Sequence, residues 1–189
     1  MIISCPARSD VLDETLRLWD QTDWPGKPIV VMDRIGGADP CASLTANALV
    51  LLREFLTSRA KYLLFLEDDL DFNLHLWSNL QKWGRLWNGE LVLGDLYHPA
   101  ASADRFAEDP ESLGGSQALL IRRDAVSKVI ADWDLFPTLM SDLRIFRVLG
   151  REGIKLHCHS PGLVQHRSVP STWGGAAHES PEFDRLWRR

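Results

Sequence analysis

The chain has 189 residues, a formal net charge of −5, 45% hydrophobic and 25% charged content. This length suits one domain with a substantial core, spanning 1–189, and the acidic balance excludes a binder dominated by nucleic-acid phosphates. No stretch approaches the roughly 20 apolar residues of a membrane span, and Cys5, Cys41 and Cys158 are spaced too widely for a metal knuckle or a disulfide framework. The start, Met-Ile-Ile-Ser-Cys-Pro, is too short and uncharged for a signal peptide. Reduced thiols and a cytoplasmic location are therefore expected, either for a whole bacterial enzyme or for a fragment of something longer.

Ile2 to Cys5 reads as a first strand and Pro6 to Asp10 as the loop leaving it. Ser9 or Asp10 can cap a helix reaching Trp19, with Val11, Leu12, Leu16 and Trp19 at helical spacing. Pro28 to Met32 is a second strand ending at Asp33, and residues 43–59 form a long helix with Leu44, Ala48, Leu51, Leu52 and Phe55 on one face. Tyr62 to Leu66 is an unbroken apolar run, the pattern of a strand buried on both faces. A helix over 73–87, a strand from Glu90 to Leu93, and a loop over 98–112 follow. Gly114 to Gln117 lead into a strand at Ala118–Ile121, then a helix from Arg123 to Asp132. Ser141-Asp142 opens a helix to Leu149 with Gly150 past its end, Ile154 to His157 is a short strand, and the tail from Ser160 reads as irregular. Alternating strands and helices imply an α/β fold: a mostly parallel central sheet flanked by helices.

Glu67, Asp68 and Asp69 follow the buried run at once, and Asp71 lies two further on. Open parallel sheets bind ligands at the carboxyl ends of their strands. Clustered carboxylates without histidine or cysteine are hard oxygen ligands that suit Mg²⁺ or Mn²⁺ rather than Zn²⁺. Crowding them at a strand end costs self-repulsion that a cation would relieve. The plain alternative is a solvated acidic turn. Arg8 with Ser9, Asp33, Asp95 and Asp142 lie at other strand or helix ends on the same expected edge.

A hydrophobic strand ending in Glu67-Asp68-Asp69 resembles the DXD-type motif of GT-A glycosyltransferases, which use a nucleotide-diphosphate sugar and a divalent cation. Pro6-Ala7-Arg8-Ser9 and Val30-Val31-Met32-Asp33 resemble the nucleotide-binding start of that fold. Gly114-Gly115-Ser116-Gln117 with the strand after it resembles the one carrying sugar and acceptor contacts. Pro161-Gly162-Leu163-Val164-Gln165-His166 with Ser171-Thr172 is similar to the ending of N-acetylglucosaminyltransferase-like and collagen-galactosyltransferase-like families, whose eukaryotic members are longer.

The resemblance implies a single GT-A-like domain acting as a hexosyl- or N-acetylhexosaminyl-transferase. The expected donor is a UDP-sugar, the acceptor a carbohydrate or other hydroxyl, and the cofactor Mn²⁺ or Mg²⁺. It implies Asp69 and His166 at the metal, and Arg8, Asp33, Glu67, Asp68, Gly115, Ser116 and Gln117 at the nucleotide sugar. Asp142 would be the base of an inverting transfer; its alternative is a helix cap. Rival readings are a sugar nucleotidyltransferase, which favours a glycine-rich loop absent from Pro6–Ser9, and a non-catalytic carbohydrate- or nucleotide-binding module of the same fold.

Overall fold

The structure, a computed structural model, describes residues 1–33, 40–99, 106–107, 117–169 and 179–189. Its main sheet has seven strands in the order β2-β1-β3-β7-β5-β8-β6. They are β1 Ile2–Ser4, β2 Val30–Met32, β3 Tyr62–Leu66, β5 Leu93–Asp95, β6 Phe106–Ala107, β7 Ala118–Arg122 and β8 Leu156–Cys158. β1, β2, β3, β5 and β8 run in one direction; β6 and β7 run against it. The sheet is thus mostly parallel and carries two reversed strands. A second, two-stranded antiparallel sheet pairs β4, Leu70–Phe72, with β9, Val164–His166.

Period-two alternation divides the core between the two faces of the main sheet. Leu63 and Phe65 of β3, with Leu119 and Ile121 of β7, face the helices α2 (Pro40–Thr57), α5 (Arg123–Ala131) and α6 (Ser141–Arg151). Leu64, Leu66, Ala118 and Leu120 face α1 (Ser9–Trp19), α3 (Leu76–Gln81) and the β4–β9 pair. Both faces are covered, so the β3 run is apolar without interruption.

Several sequence expectations shift. The helix expected at 73–87 is two short ones, α3 and α4 (Gly84–Trp87), because Trp83 between them is extended, at φ −74° and ψ 101°. The strand expected at Glu90–Leu93 is β5 at Leu93–Asp95, so Asp95 ends the strand inside the core. Gly94 is at its centre because the Trp83 indole packs on it; a β-carbon there would meet the ring at 3.0 Å. Gly150 lies within α6, and Gly153 takes the left-handed turn at φ +70°. The tail is not wholly irregular, since β9 pairs with β4. Within 98–112 the described part includes β6; the rest of that loop lies outside the described residues. No helix among the described residues is long and apolar enough to cross a membrane.

Candidate active site

The turn at Glu67–Asp69 carries the chain from the main sheet into the small one. The β4–β9 register pairs Leu70 with His166, and the Arg167 N–H donates to the Asp69 carbonyl at 2.8 Å. This ladder brings His166 beside Asp69, with Nε2 3.2 Å from Oδ2. On the other side, a 3-10 turn at Pro6–Arg8 leads from β1 straight into α1. Arg8 is therefore the N-cap of α1, which corrects the sequence expectation of a cap at Ser9 or Asp10; Ser9 already lies inside the helix.

Arg8 spans both aspartates: Nε donates to Asp68 Oδ1 at 2.9 Å and Nη2 to Asp69 Oδ2 at 2.7 Å. Ser4 Oγ donates to Asp68 Oδ2 at 2.5 Å. Thr15, fully buried on α1, donates its hydroxyl to the Asp68 carbonyl at 2.5 Å and accepts from the Leu70 N–H at 3.1 Å. The self-repulsion expected of the acids is thus offset by side chains of the protein itself. Burial raises Asp68 above the usual carboxylate range, and the Ser4 and Arg8 hydrogen bonds only partly offset it. Burial also pushes Asp69 upward, but His166 and Arg8 outweigh it and hold it below that range. The Asp69 hydrogen bond raises His166 above its ordinary value, so the imidazole leans toward its charged form.

The remaining expected residues are distributed along the same edge. Asp33 follows β2; its N–H donates to the Ser4 carbonyl at 2.7 Å and its carboxylate accepts from Ser43 Oγ. Ser4 therefore touches both Asp33 and Asp68. The Glu67 N–H donates to the Gln117 carbonyl at 3.0 Å, which sets Gln117 at the amino end of β7 beside the acids. Gly115 and Ser116 lie outside the described residues. Asp71 turns away and pairs with Arg185 at 3.3 Å. Asp142 sits at the start of α6, whose short return into β8 points that helix end toward the carboxyl edge. Burial raises its carboxyl, more than the backbone N–H groups of Leu143 and Asp142 lower it. None of its hydrogen bonds or ion pairs described here reaches Arg8, Asp68, Asp69 or His166.

Asp69 Oδ1 and Gln117 Oε1 are buried and have no hydrogen-bond partner among the described residues. Among those residues no group of three or more His, Cys, Asp and Glu side chains stands ready for a metal ion. Magnesium-type cations bound with a nucleotide take one or two carboxylates and fill the rest of their shell with phosphate and water. Asp69, with a spare buried oxygen, fits such a partial donor set, and His166 joins it only in its neutral form.

Ser4 and Thr15 went unread in the sequence. They meet Asp68 across 64 and 53 residues, and a lone Ser in a strand or Thr in a helix carries no signal for that. Asp95 is also fully buried; burial raises its carboxyl well above the usual range, while the Tyr97 N–H holds Oδ1 at 3.0 Å.

No protein-family model and no curated protein matches the sequence. In structure the chain is similar to a glycosyltransferase involved in the glycosylation of the major capsid of PBCV-1. The TM-score is 0.56 at 13% identity, covering 90% of this chain and 93% of that one. At that identity the likeness shows the fold: this chain has the α/β fold of a glycosyltransferase.

Proposed function

We propose that this chain is a metal-dependent glycosyltransferase of one domain. It moves a hexosyl or N-acetylhexosaminyl group from a nucleotide-diphosphate sugar, with UDP-sugar as the expected donor, to an acceptor hydroxyl. The observation that carries this reading is the convergence of Arg8, Asp68, Asp69 and His166 at the carboxyl edge of a sheet with a glycosyltransferase fold. Ligands of open α/β sheets bind at that edge. The free thiols of Cys5 and Cys158 fit the cytoplasm, which is part of the proposal.

In this reading Asp69, with His166 in its neutral form, would hold Mn²⁺ or Mg²⁺, which would supply positive charge beside the leaving nucleoside diphosphate. Arg8 contacts the diphosphate through its planar fork. Asp33 takes the base or ribose, and Glu67 and Asp68 face ribose and diphosphate. The buried Gln117 Oε1 accepts a hydrogen bond from the donor sugar, with Gly115 and Ser116 contributing from the preceding segment. Asp142 takes the proton of the acceptor hydroxyl as its oxygen attacks the anomeric carbon opposite the nucleotide, giving inversion. Its upward-shifted carboxyl suits a general base better than an ordinary one.

A thermal-shift panel of nucleotide sugars with and without Mn²⁺ tests the proposal, because a ligand that binds the folded state raises its melting temperature. A UDP-sugar should stabilise the protein only with the cation, and an acceptor screen should then release UDP. Stabilisation by nucleoside triphosphates and sugar phosphates instead would favour the nucleotidyltransferase reading. Binding without any release of UDP would favour the non-catalytic module.

A further inference from the structure

Asp68 and Asp69 are a pair of carboxylates already occupied by hydrogen-bond donors. Asp68 Oδ1 and Oδ2 accept from Arg8 and Ser4, and Asp69 Oδ2 accepts from Arg8 and faces His166. Asp69 Oδ1 alone has no partner among the described residues, and it is buried. The Arg8 side chain bridging the pair is 14% exposed and the two aspartate side chains 8%. A divalent cation on Oδ1 would stand a few ångströms from that guanidinium, where burial weakens solvent screening and like charges repel strongly. Arg8 and the cation therefore compete for Asp69.

The guanidinium has another suitable partner. Its fork matches phosphate oxygens as well as carboxylates. Its backbone is fixed, with the Arg8 N–H donating to the Cys5 carbonyl at 3.0 Å, while a flexible stem carries the head group. It stands at the first turn of α1, an eleven-residue helix whose amino end favours anions.

We infer that Arg8 is a resident counter-cation that keeps a metal ion from Asp69 until a nucleoside diphosphate draws the guanidinium away from the Asp68–Asp69 pair, so that cation and nucleotide bind together and not singly. This rests on the metal-dependent reading proposed above. It adds an order of binding: without nucleotide the pair is closed by Arg8, and with nucleotide the released guanidinium contacts the diphosphate.

The test is Mn²⁺ uptake, read by the electron paramagnetic resonance signal of the free ion, in wild-type protein and Arg8→Met, with and without UDP. Arg8→Met keeps the apolar stem and removes the charge. Mn²⁺ alone should bind the variant about tenfold tighter or more, within the usual range of coupling between two ligands. UDP should raise Mn²⁺ affinity in the wild type more than in the variant. Equal or weaker Mn²⁺ binding by a folded Arg8→Met overturns the inference and leaves the metal reading standing. No uptake by either protein at any UDP concentration overturns the metal reading, and the inference with it. A second measurement needs no variant: the Arg8 Nε–H resonance of wild-type protein should shift on adding UDP with Mg²⁺. A resonance unmoved by saturating UDP and Mg²⁺ overturns the displacement of Arg8.

Discussion

Thr15 on α1 donates its hydroxyl to the carbonyl of Asp68 at 2.5 Å and accepts from the Leu70 N–H at 3.1 Å. One buried side chain thereby satisfies two backbone groups of the acidic turn and ties it to the helix that begins at Arg8. An unpartnered buried backbone group costs about 1–3 kcal/mol.

Thr15→Val is near in shape but satisfies neither group, so it should lose about 2–4 kcal/mol of stability. Thr15→Ser keeps the hydroxyl and removes one methyl, and should lose about 1 kcal/mol. Denaturant melts of the two variants check this. The methyl is immaterial to the role if serine restores most of what valine loses; equal losses would mean that packing, not the hydrogen bonds, explains Thr15.

Asp69→Asn should abolish metal-dependent UDP binding and leave the fold intact. Arg8 retains its bond to Asp68, so the cluster is not left with an uncompensated buried cation. Calorimetric titration of UDP in the presence of Mn²⁺ is the measurement. An unchanged affinity would remove Asp69 from the cation site.

What the sequence reveals here depends on distance along the chain. The β3 run Tyr62–Leu66 is legible because burial on both faces leaves a local, unbroken apolar signature, and α2 because its apolar stripe repeats over several turns. The Asp68–Asp69 edge follows from β3, as do the matches at Arg8 and His166 from their motifs. The β4–β9 ladder is not legible: three residues pair with three others nearly a hundred positions away, too short for periodicity to mark. That ladder is what sets His166 against Asp69. The cationic bridge from Arg8 was equally hidden, because a loop arginine reads the same whether it faces solvent, nucleotide or carboxylate.

The His166–Asp69 contact has a pH signature of definite sign. His166 is raised in the folded state by its hydrogen bond to Asp69. Its contribution to stability is fully present below the unfolded imidazole value and fades as pH rises through the higher folded one. Asp69 is held low, so its own contribution is lost only when pH falls through that lowered value. The stability difference between wild type and His166→Gln should therefore shrink on passing from mildly acidic to alkaline pH. Melts across that window check it, with the imidazole titration followed directly by NMR. A His166 that titrates at or below its ordinary value would contradict the pairing.

Asp142 is the proposed base on which inversion depends, and its other reading is a helix cap. Met140 is the N-cap of α6 and Asp142 the second helical residue, with no side-chain cap hydrogen bond from Met140. The capping alternative takes the form of a first-turn carboxylate that accepts from the backbone N–H groups of Leu143 and Asp142 and favours the helix by about 0.3–1 kcal/mol through the helix dipole. Against that, burial raises its carboxyl, so folding favours the neutral form: the contribution is present below the unfolded carboxylate value and is lost as pH rises through the folded one. At neutral pH a charged Asp142 is therefore a cost that Asn removes. Asp142→Asn should melt no lower than wild type near pH 7, while sugar transfer at saturating donor falls by roughly 10²-fold or more, the usual scale for loss of a general base. Donor affinity should be unchanged, since the substitution leaves Arg8, Asp69 and His166 as they are. The acidic limb of the wild-type rate profile should lie above the ordinary carboxylate range and vanish in the variant. A folded Asp142→Asn that transfers sugar at a near-normal rate would end the base assignment, and the inverting mechanism would lose its residue.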